Sequence, residues 1–514
     1  MLSRASPHNN FPNQCRSLHP ERLVKNSTLT RLEFVAEGTI LNLDDNVPSC
    51  NRNTQVVNVD VCRIGLQVPT SSRSSISMEL WLPLKWEGRR YLATGNGGVD
   101  GCIKYEDLAY GTANGFATMG TNNGHNGTTA VTMLHNPDII EDFSHRALHV
   151  GTATAKKIIT KFYKQQPDYS YYIGCSLGGR MGIKAAELYP QDYDGIVAGA
   201  PTVDFNNLQG QRAMFYTVTG AIGSPDFISA DVWSGLIHQE VLKQCDTIDG
   251  VKDGIIEIPR KCYFNPSTLL CRPGQTNNCL SATQVEQVRK IYAPYRYPTT
   301  GELIFPRMNP GMEERGIERL LSGQPFPHSV EWFRYVVLND SQWQAEDYHA
   351  GLVRLAEQMN PANIRTYPRR LPDFKKHGGK IISYHGGQDQ QVTSFNTERF
   401  MSHMAEADDE LQDYYRYFPV SGMYHCSAGP GAWAFGQGGG AASAGVPFDP
   451  EQNVLAAATR WVEEGIAPET MTGTKFLDDN PSQGVDFQRR HCMWPKSQTY
   501  IGGDYKLRSS WRCV

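Results

Sequence analysis

Short apolar runs alternate with stretches of helical periodicity along residues 90–202. "RYLATGNGG" reads as an apolar strand opening into a glycine-rich turn, and "GFATMGTNNG" as a second strand. Residues 142–163 carry apolar positions at the spacing of a helix with one buried stripe. "SYYIGCS" predicts a third strand, "GGRMGIKAAELYP" a helix starting directly behind the serine, and "YDGIVAGAP" a fourth strand. Such a β-α-β succession predicts a parallel sheet covered by helices. From 204 to 374 the succession stops, and the segment instead holds four cysteines, an acidic loop and many prolines and aromatics. Strands return at 378–389 and 415–426. The pattern therefore predicts an α/β fold with a discontinuous catalytic domain, 1–203 and 375–514, and an inserted lid domain at 204–374.

Composition narrows the class. With 514 residues, 40% hydrophobic and 20% charged, the chain is long enough for a large core and reads as globular rather than disordered. The net charge of −4 has no basic run behind it, which argues against nucleic acid or an anionic membrane as partner. No stretch reaches the roughly 18 apolar residues of a membrane span. The tract at 437–445, rich in glycine and alanine, reads as a flexible loop.

Twelve cysteines, an even number, are scattered without a C-x-x-C pair, so disulfides in an oxidising compartment are expected rather than zinc. Sequons at Asn26, Asn126 and Asn339 agree with secretion. No signal peptide is visible, because the first fifteen residues lack an apolar core.

"GCSLGG" at 174–179 contains G-x-S-x-G, the turn that exposes a nucleophilic serine between a strand and a helix. Ser176 needs a base, and that base needs an orienting carboxylate. "SYHGGQD" and "GMYHCSAG" leave later strands carrying Asp389 and His425, in the order Ser, Asp, His expected of an α/β-hydrolase. Taken alone, Asp389 also suits a solvated turn and His425 a loop histidine paired to a carbonyl. Cys175 precedes the serine and Cys426 follows the histidine. If Ser176 and His425 meet, their neighbours come within disulfide range, roughly 7 Å between Cα atoms. A free, reactive Cys175 is the competing reading.

"GCSLGGR" with a downstream "HC" and an aspartate between them resembles the tannase and feruloyl esterase family. The resemblance extends through "ATGNGGVDGCIKYEDLAYG", "TNNGHNGT", "GIVAGAP" and "CDTIDGVKDGIIEIPRKC", covering nearly the whole chain. It is strongest to the fungal feruloyl esterases of type B, which cleave ferulic and coumaric esters from plant cell-wall sugars. The resemblance implies the disulfides Cys15–Cys62, Cys50–Cys102, Cys175–Cys426, Cys245–Cys262, Cys271–Cys279 and Cys492–Cys513; spacing alone does not choose among the pairings.

An acyl-transfer site also needs donors for the oxyanion. The amide of Leu177 is the expected first, and Gly97 or Gly98 in "GNGG" the second, unless that segment is a plain turn. His125 in "NNGHNG" reads equally as a pocket residue or a capped turn. His145 and His149 stand one helical turn apart, but Arg146 occupies the place of the glutamate in an H-E-x-x-H zinc site, so structural roles are favoured.

Asp246, Asp249 and Asp253 crowd into eight residues and repel one another unless a hard cation neutralises them. The aspartates do not alternate as in an EF-hand, and Glu257 at the twelfth position is read as coincidence. The resemblance implies a structural Ca²⁺ held by Asp246, Asp249 and Asp253 with the carbonyls of Val251 and Ile255. The plainer reading is a solvated acidic turn.

These readings converge on a secreted serine carboxylesterase acting on phenolic esters of plant cell-wall polysaccharide, as monomer or homodimer. The aromatics Trp332, Phe333, Trp343 and Tyr348 are candidates to pack on the phenolic ring. The alternatives are a tannase acting on galloyl esters, or a noncatalytic wall-binding protein on the same fold.

Overall fold

The apolar runs become strands of one nine-stranded sheet in the computed structural model, which describes residues 7–514. In chain order these are β1 (Thr28–Val35), β2 (Val61–Pro69), β3 (Ser75–Pro83), β4 (Arg90–Thr94), β5 (Ala117–Thr121), β6 (Tyr169–Cys175), β7 (Gly195–Gly199), β8 (Lys380–Gly386) and β9 (Tyr415–Val420). They lie in the order β1-β2-β3-β5-β4-β6-β7-β8-β9. The last six are mutually parallel, as the β-α-β pattern predicts, while β1, β2 and β3 form an antiparallel edge.

That edge was not read from the pattern. Alternation there is masked by a buried ion pair: Arg63 on β2 donates to both carboxylate oxygens of Glu79 on β3, at 2.5 and 2.8 Å. Glu79 also accepts from Trp81 Nε1 and Tyr105 Oη, so its buried charge is fully bonded.

The helices that flank the sheet follow the expected positions. Helix α1 (Tyr105–Ala113) follows β4; α2 (Ala147–Tyr163) opens with a wide π turn over Asp142–Arg146 and leads into β6; α3 (Leu177–Leu188) follows β6 after one residue, Ser176. The glycine- and alanine-rich tract packs against α1, with the Gly439 N–H donating to Asp107.

Residues 204–374 contribute no strand to the main sheet. They carry α4 (Phe205–Thr219), α5 (His238–Cys245), α6 (Ala282–Ile291), α7 (Ala350–Met359) and a small ribbon pairing Tyr295–Arg296 with Leu303–Phe305. Apolar residues of this insertion and of the sheet's flanking helices form one continuous buried cluster, from Phe143 and Met181 to Phe205, Trp332 and Phe374. The insertion is thus welded to the sheet domain by a shared core. After it come α8 (Ser394–Ala405) and α9 (Val454–Glu464), then a hairpin, β10 (Thr470–Phe476) with β11 (Val485–Cys492).

The four aromatics proposed for substrate contact belong to that shared core instead. Trp332 and Phe333 are fully buried; Trp332 Nε1 donates to Asn206, and Tyr348 Oη donates to the Gly210 carbonyl. The polar groups of Trp332 and Tyr348 are thus spent inside the insertion.

Candidate active site

Parallel strands of an open α/β sheet deliver their loops to one edge, beyond their carboxyl ends. Here β4 ends at the 95–98 loop, β6 at Ser176, β8 in the turn to Asp389 and β9 in the loop to His425. Four segments scattered over 330 residues of sequence therefore face one place.

Ser176 is the single residue between β6 and α3, with φ 65° and ψ −121°. That conformation is strained for a residue with a Cβ, and it turns the hydroxyl away from the sheet. The flanking glycines make the turn possible: a Cβ on Gly174 would fall 2.8 Å from the carbonyl carbon of Gly178, and one on Gly178 3.0 Å from the Asn96 carbonyl oxygen.

His425 Nε2 lies 2.9 Å from Ser176 Oγ, and its Nδ1 lies 2.7 Å from Asp389 Oδ2. The carboxylate can only accept, so Nδ1 carries the proton and Nε2 presents a lone pair to the hydroxyl. Asp389 is fully buried and saturated: Oδ1 accepts from the backbone N–H groups of Gln391 (2.7 Å) and Val392 (2.8 Å). Burial pushes its pKa up, but the attraction of the His425 ring whenever that ring carries a second proton, and the bonds from His385 and His425, outweigh this and hold the carboxyl below the usual carboxylate range.

All six implied disulfides are present. Cys175–Cys426, with Cα atoms 6.2 Å apart, ties the residue before Ser176 to the residue after His425. No free cysteine occurs among the described residues.

For the oxyanion, Leu177 heads α3, where an N–H has no acceptor within the helix and sits at the positive end of its dipole. The glycine loop distinguishes its two candidates. The Gly97 N–H donates to Asp100 Oδ1 at 3.2 Å and is committed there, so the expectation for Gly97 does not hold in this conformation. The Gly98 N–H has no protein acceptor among the described residues. His125 is buried and braces this loop, its Nε2 2.9 Å from the Val99 carbonyl.

The insertion adds residues that the sequence reading missed. A Cβ on Gly98 would lie 2.5 Å from Cε1 of His328, so this imidazole rests on the glycine loop. Burial, then the nearby charges of Arg212 and Arg319, pull the His328 pKa down to about 3, which keeps the ring neutral. Arg212 stacks over Phe326 and donates to the Gln391 carbonyl beside Asp389. His328 lies in the single α-turn Pro327–Glu331, which runs on into a π turn over Trp332–Val337, and so short a helical stretch gives no local signal that marks it.

His145 and His149 go to separate partners, Tyr189 Oη and Asp192, and share no metal point.

In the acidic loop, Asp246 Oδ1 accepts from the N–H groups of Asp253 (3.3 Å) and Gly254 (3.1 Å), and Asp249 Oδ1 from Val251 (2.9 Å). Asp253 Oδ1 accepts from the Ile255 N–H, and its other oxygen lies 3.5 Å from Arg489. Asp249 Oδ2 is buried without a partner, and burial with the Asp253 charge pushes this carboxyl up to about 6. Glu257 is not part of the cluster; it pairs with Arg489 at 2.8 Å and accepts from Ser421. No three acidic, histidine or cysteine side chains converge at metal-binding distance among the described residues. The all-oxygen donor set and the orphaned Asp249 oxygen nonetheless fit a hard cation in chemistry.

A family profile described as tannase and feruloyl esterase matches residues 59–334 and 333–514. A probable feruloyl esterase B-2 of Aspergillus flavus is 53% identical, over 94% of this chain and 93% of its own length. Feruloyl esterase B from Aspergillus oryzae, a crystal structure, superposes with a TM-score of 0.94 at 39% identity, covering 98% of this chain and all of that one. The tannin acyl hydrolase of Aspergillus niger shares the fold, with a TM-score of 0.76 at 19% identity over 98% of this chain and 94% of that one.

Proposed function

Because this chain belongs to the tannase and feruloyl esterase family, we propose that it is a serine carboxylesterase releasing ferulic and coumaric acids from esters of plant cell-wall polysaccharide. The observation that carries the reading is the unbroken relay from Ser176 Oγ through His425 to Asp389, at 2.9 and 2.7 Å.

In this reading Ser176 Oγ attacks the ester carbonyl while His425 Nε2 takes its proton. Asp389 keeps the imidazole in the required tautomer and stabilises its cationic form. The Leu177 and Gly98 N–H groups receive the negative charge on the carbonyl oxygen. Collapse expels the sugar alkoxide, which takes the proton from His425. Water then attacks the acyl-serine by the same route and frees the hydroxycinnamate. His328, neutral and resting on Gly98, forms the wall of the pocket contributed by the insertion.

Asp246, Asp249 and Asp253, with the Val251 and Ile255 carbonyls, are proposed to hold Ca²⁺, which would neutralise the acidic loop and take no part in the chemistry. The six disulfides, and Asn26, Asn126 and Asn339 exposed on the surface, support secretion and glycosylation. No helix among the described residues is long and apolar enough to cross a membrane.

Parallel assays on methyl ferulate, methyl coumarate and methyl gallate test the reading. Release of hydroxycinnamates well above gallate is expected. A preference for gallate would make the enzyme a tannase, and binding of polysaccharide without any ester cleavage would remove the enzymatic reading.

A further inference from the structure

His385 is the penultimate residue of β8 and takes no step in the mechanism above, yet its imidazole is fully buried behind the relay. Its Nε2 lies 3.1 Å from Asp389 Oδ2 and 2.8 Å from the Val392 carbonyl. Both are acceptors, so Nε2 carries a proton shared between them. Its Nδ1 lies 2.8 Å from Thr397 Oγ1 on α8, whose hydroxyl completes the arrangement by donating. Asp389 Oδ2 thus stands between two imidazoles, His425 on the side of the serine and His385 behind.

A buried histidine that only filled space would be replaceable by an apolar side chain of similar size, with no burial penalty. This one instead supplies a donor to the single oxygen that orients His425. The turn from 387 to 392 folds back onto the strand, and His385 clasps it at two points, Asp389 and Val392.

We propose that His385 is a positioning residue for the esterase reaction: its Nε2–H holds Asp389 Oδ2 in line with His425 and shares its charge. The proposal rests on the reading of Ser176, His425 and Asp389 as the catalytic set. His385 is too deeply buried to be the base itself, and it precedes the aspartate in the chain. The charged and titratable groups around the pair are Glu398 of α8 facing His385, Arg212 of α4 and Tyr417 of β9 facing Asp389, and His328 facing His425. None of these is altered in the variants below.

Without the rear donor, Oδ2 draws more strongly on His425 and favours its protonated form, while Asp389 gains freedom to swing. His385→Leu is expected to lower kcat on methyl ferulate about 10- to 100-fold with KM little changed. Its acid limb of kcat/KM is expected to move upward by about half a pH unit. His385→Gln, whose amide can donate from a similar position, is expected to stay within about threefold of wild type with an unmoved limb. Thr397→Val leaves His385 in place but frees its ring, and a smaller upward shift of the limb is expected.

Wild-type kcat and limb in His385→Leu would overturn the proposal, as would equal impairment in Leu and Gln variants. If His385→Leu does not fold, Thr397→Val decides, and an unmoved limb there overturns it. Ser176→Ala run alongside separates the two levels. An inactive Ser176→Ala with an unaffected His385→Leu defeats only the positioning role, whereas an active Ser176→Ala defeats the catalytic set itself.

Discussion

Cys175 and Cys426 are bonded across 251 positions of sequence, and the residues that adjoin them, Ser176 and His425, share a 2.9 Å hydrogen bond. The covalent link and the catalytic contact are one residue apart at both ends. Closing a loop of this length removes chain entropy worth at most about 5.5 kcal/mol from the unfolded state. Its local effect is to fix the distance between the Ser176 hydroxyl and the His425 imidazole.

Replacing both half-cystines, Cys175→Ala with Cys426→Ala, is therefore expected to lower kcat by about 10²-fold or more while leaving a folded protein of lower Tm. Circular dichroism, a thermal melt and steady-state kinetics check this. Wild-type turnover would show that packing alone holds His425 in reach.

Ser176→Ala is expected to abolish turnover, and Asp389→Asn to lower kcat by about 10⁴-fold, because the amide permits the wrong histidine tautomer. Release of hydroxycinnamate from methyl ester reads both.

Gly98→Ala meets two obstacles at once: φ is +53°, and the new Cβ would lie 2.5 Å from the His328 ring. A cost of about 1–3 kcal/mol is expected from the backbone alone. Activity should fall more than stability, since the amide in question is the proposed oxyanion donor. A Gly98→Ala enzyme with full kcat would assign the second donor elsewhere. Gly97→Ala, at a residue whose N–H is already committed to Asp100, is expected to be milder.

The depressed pKa of Asp389 sets a sign for the acid side. Its carboxylate stays ionised as pH falls, so log kcat/KM is expected to drop with unit slope down to about pH 4, reporting the base alone. A slope of two in that range would mean that Asp389 titrates as well. The same shift makes the ionised carboxylate stabilising above its unfolded value of about 3.9, and that contribution is lost as pH falls from there toward the folded value. The difference in stability between wild type and Asp389→Asn is accordingly expected to shrink below about pH 4.

Chelation is expected to lower Tm, and added Ca²⁺ to restore it, if the orphaned Asp249 oxygen and its neighbours hold a cation. Differential scanning calorimetry with EDTA and then excess CaCl₂ tests this; an unmoved Tm would leave a solvated acidic turn.

The parallel strands β4 to β9 were legible because each is a short apolar run bounded by glycine or a turn. The antiparallel edge was not, because the Arg63–Glu79 pair puts charges where alternation predicts apolar residues. Trp332 and Phe333 show the opposite limit: an aromatic in a short π-helical stretch looks the same in sequence whether it lines a pocket or a core. His328 was invisible for a related reason, since its partners come from other elements, whereas His385 stands in the same "SYHGGQD" segment as Asp389 and only its contact with the carboxylate needed the fold.

What the sequence determined by itself was the identity and order of the serine, aspartate and histidine that the fold brings into hydrogen-bond contact, and the turn that carries the serine, because these depend on local residue types and on strand and helix periods. Only the tertiary structure decided which glycine amide is free, which aromatics are spent in the core and which second histidine stands behind Asp389. Those outcomes depend on where separate elements bring their atoms within a few ångströms, and linear spacing does not encode that distance.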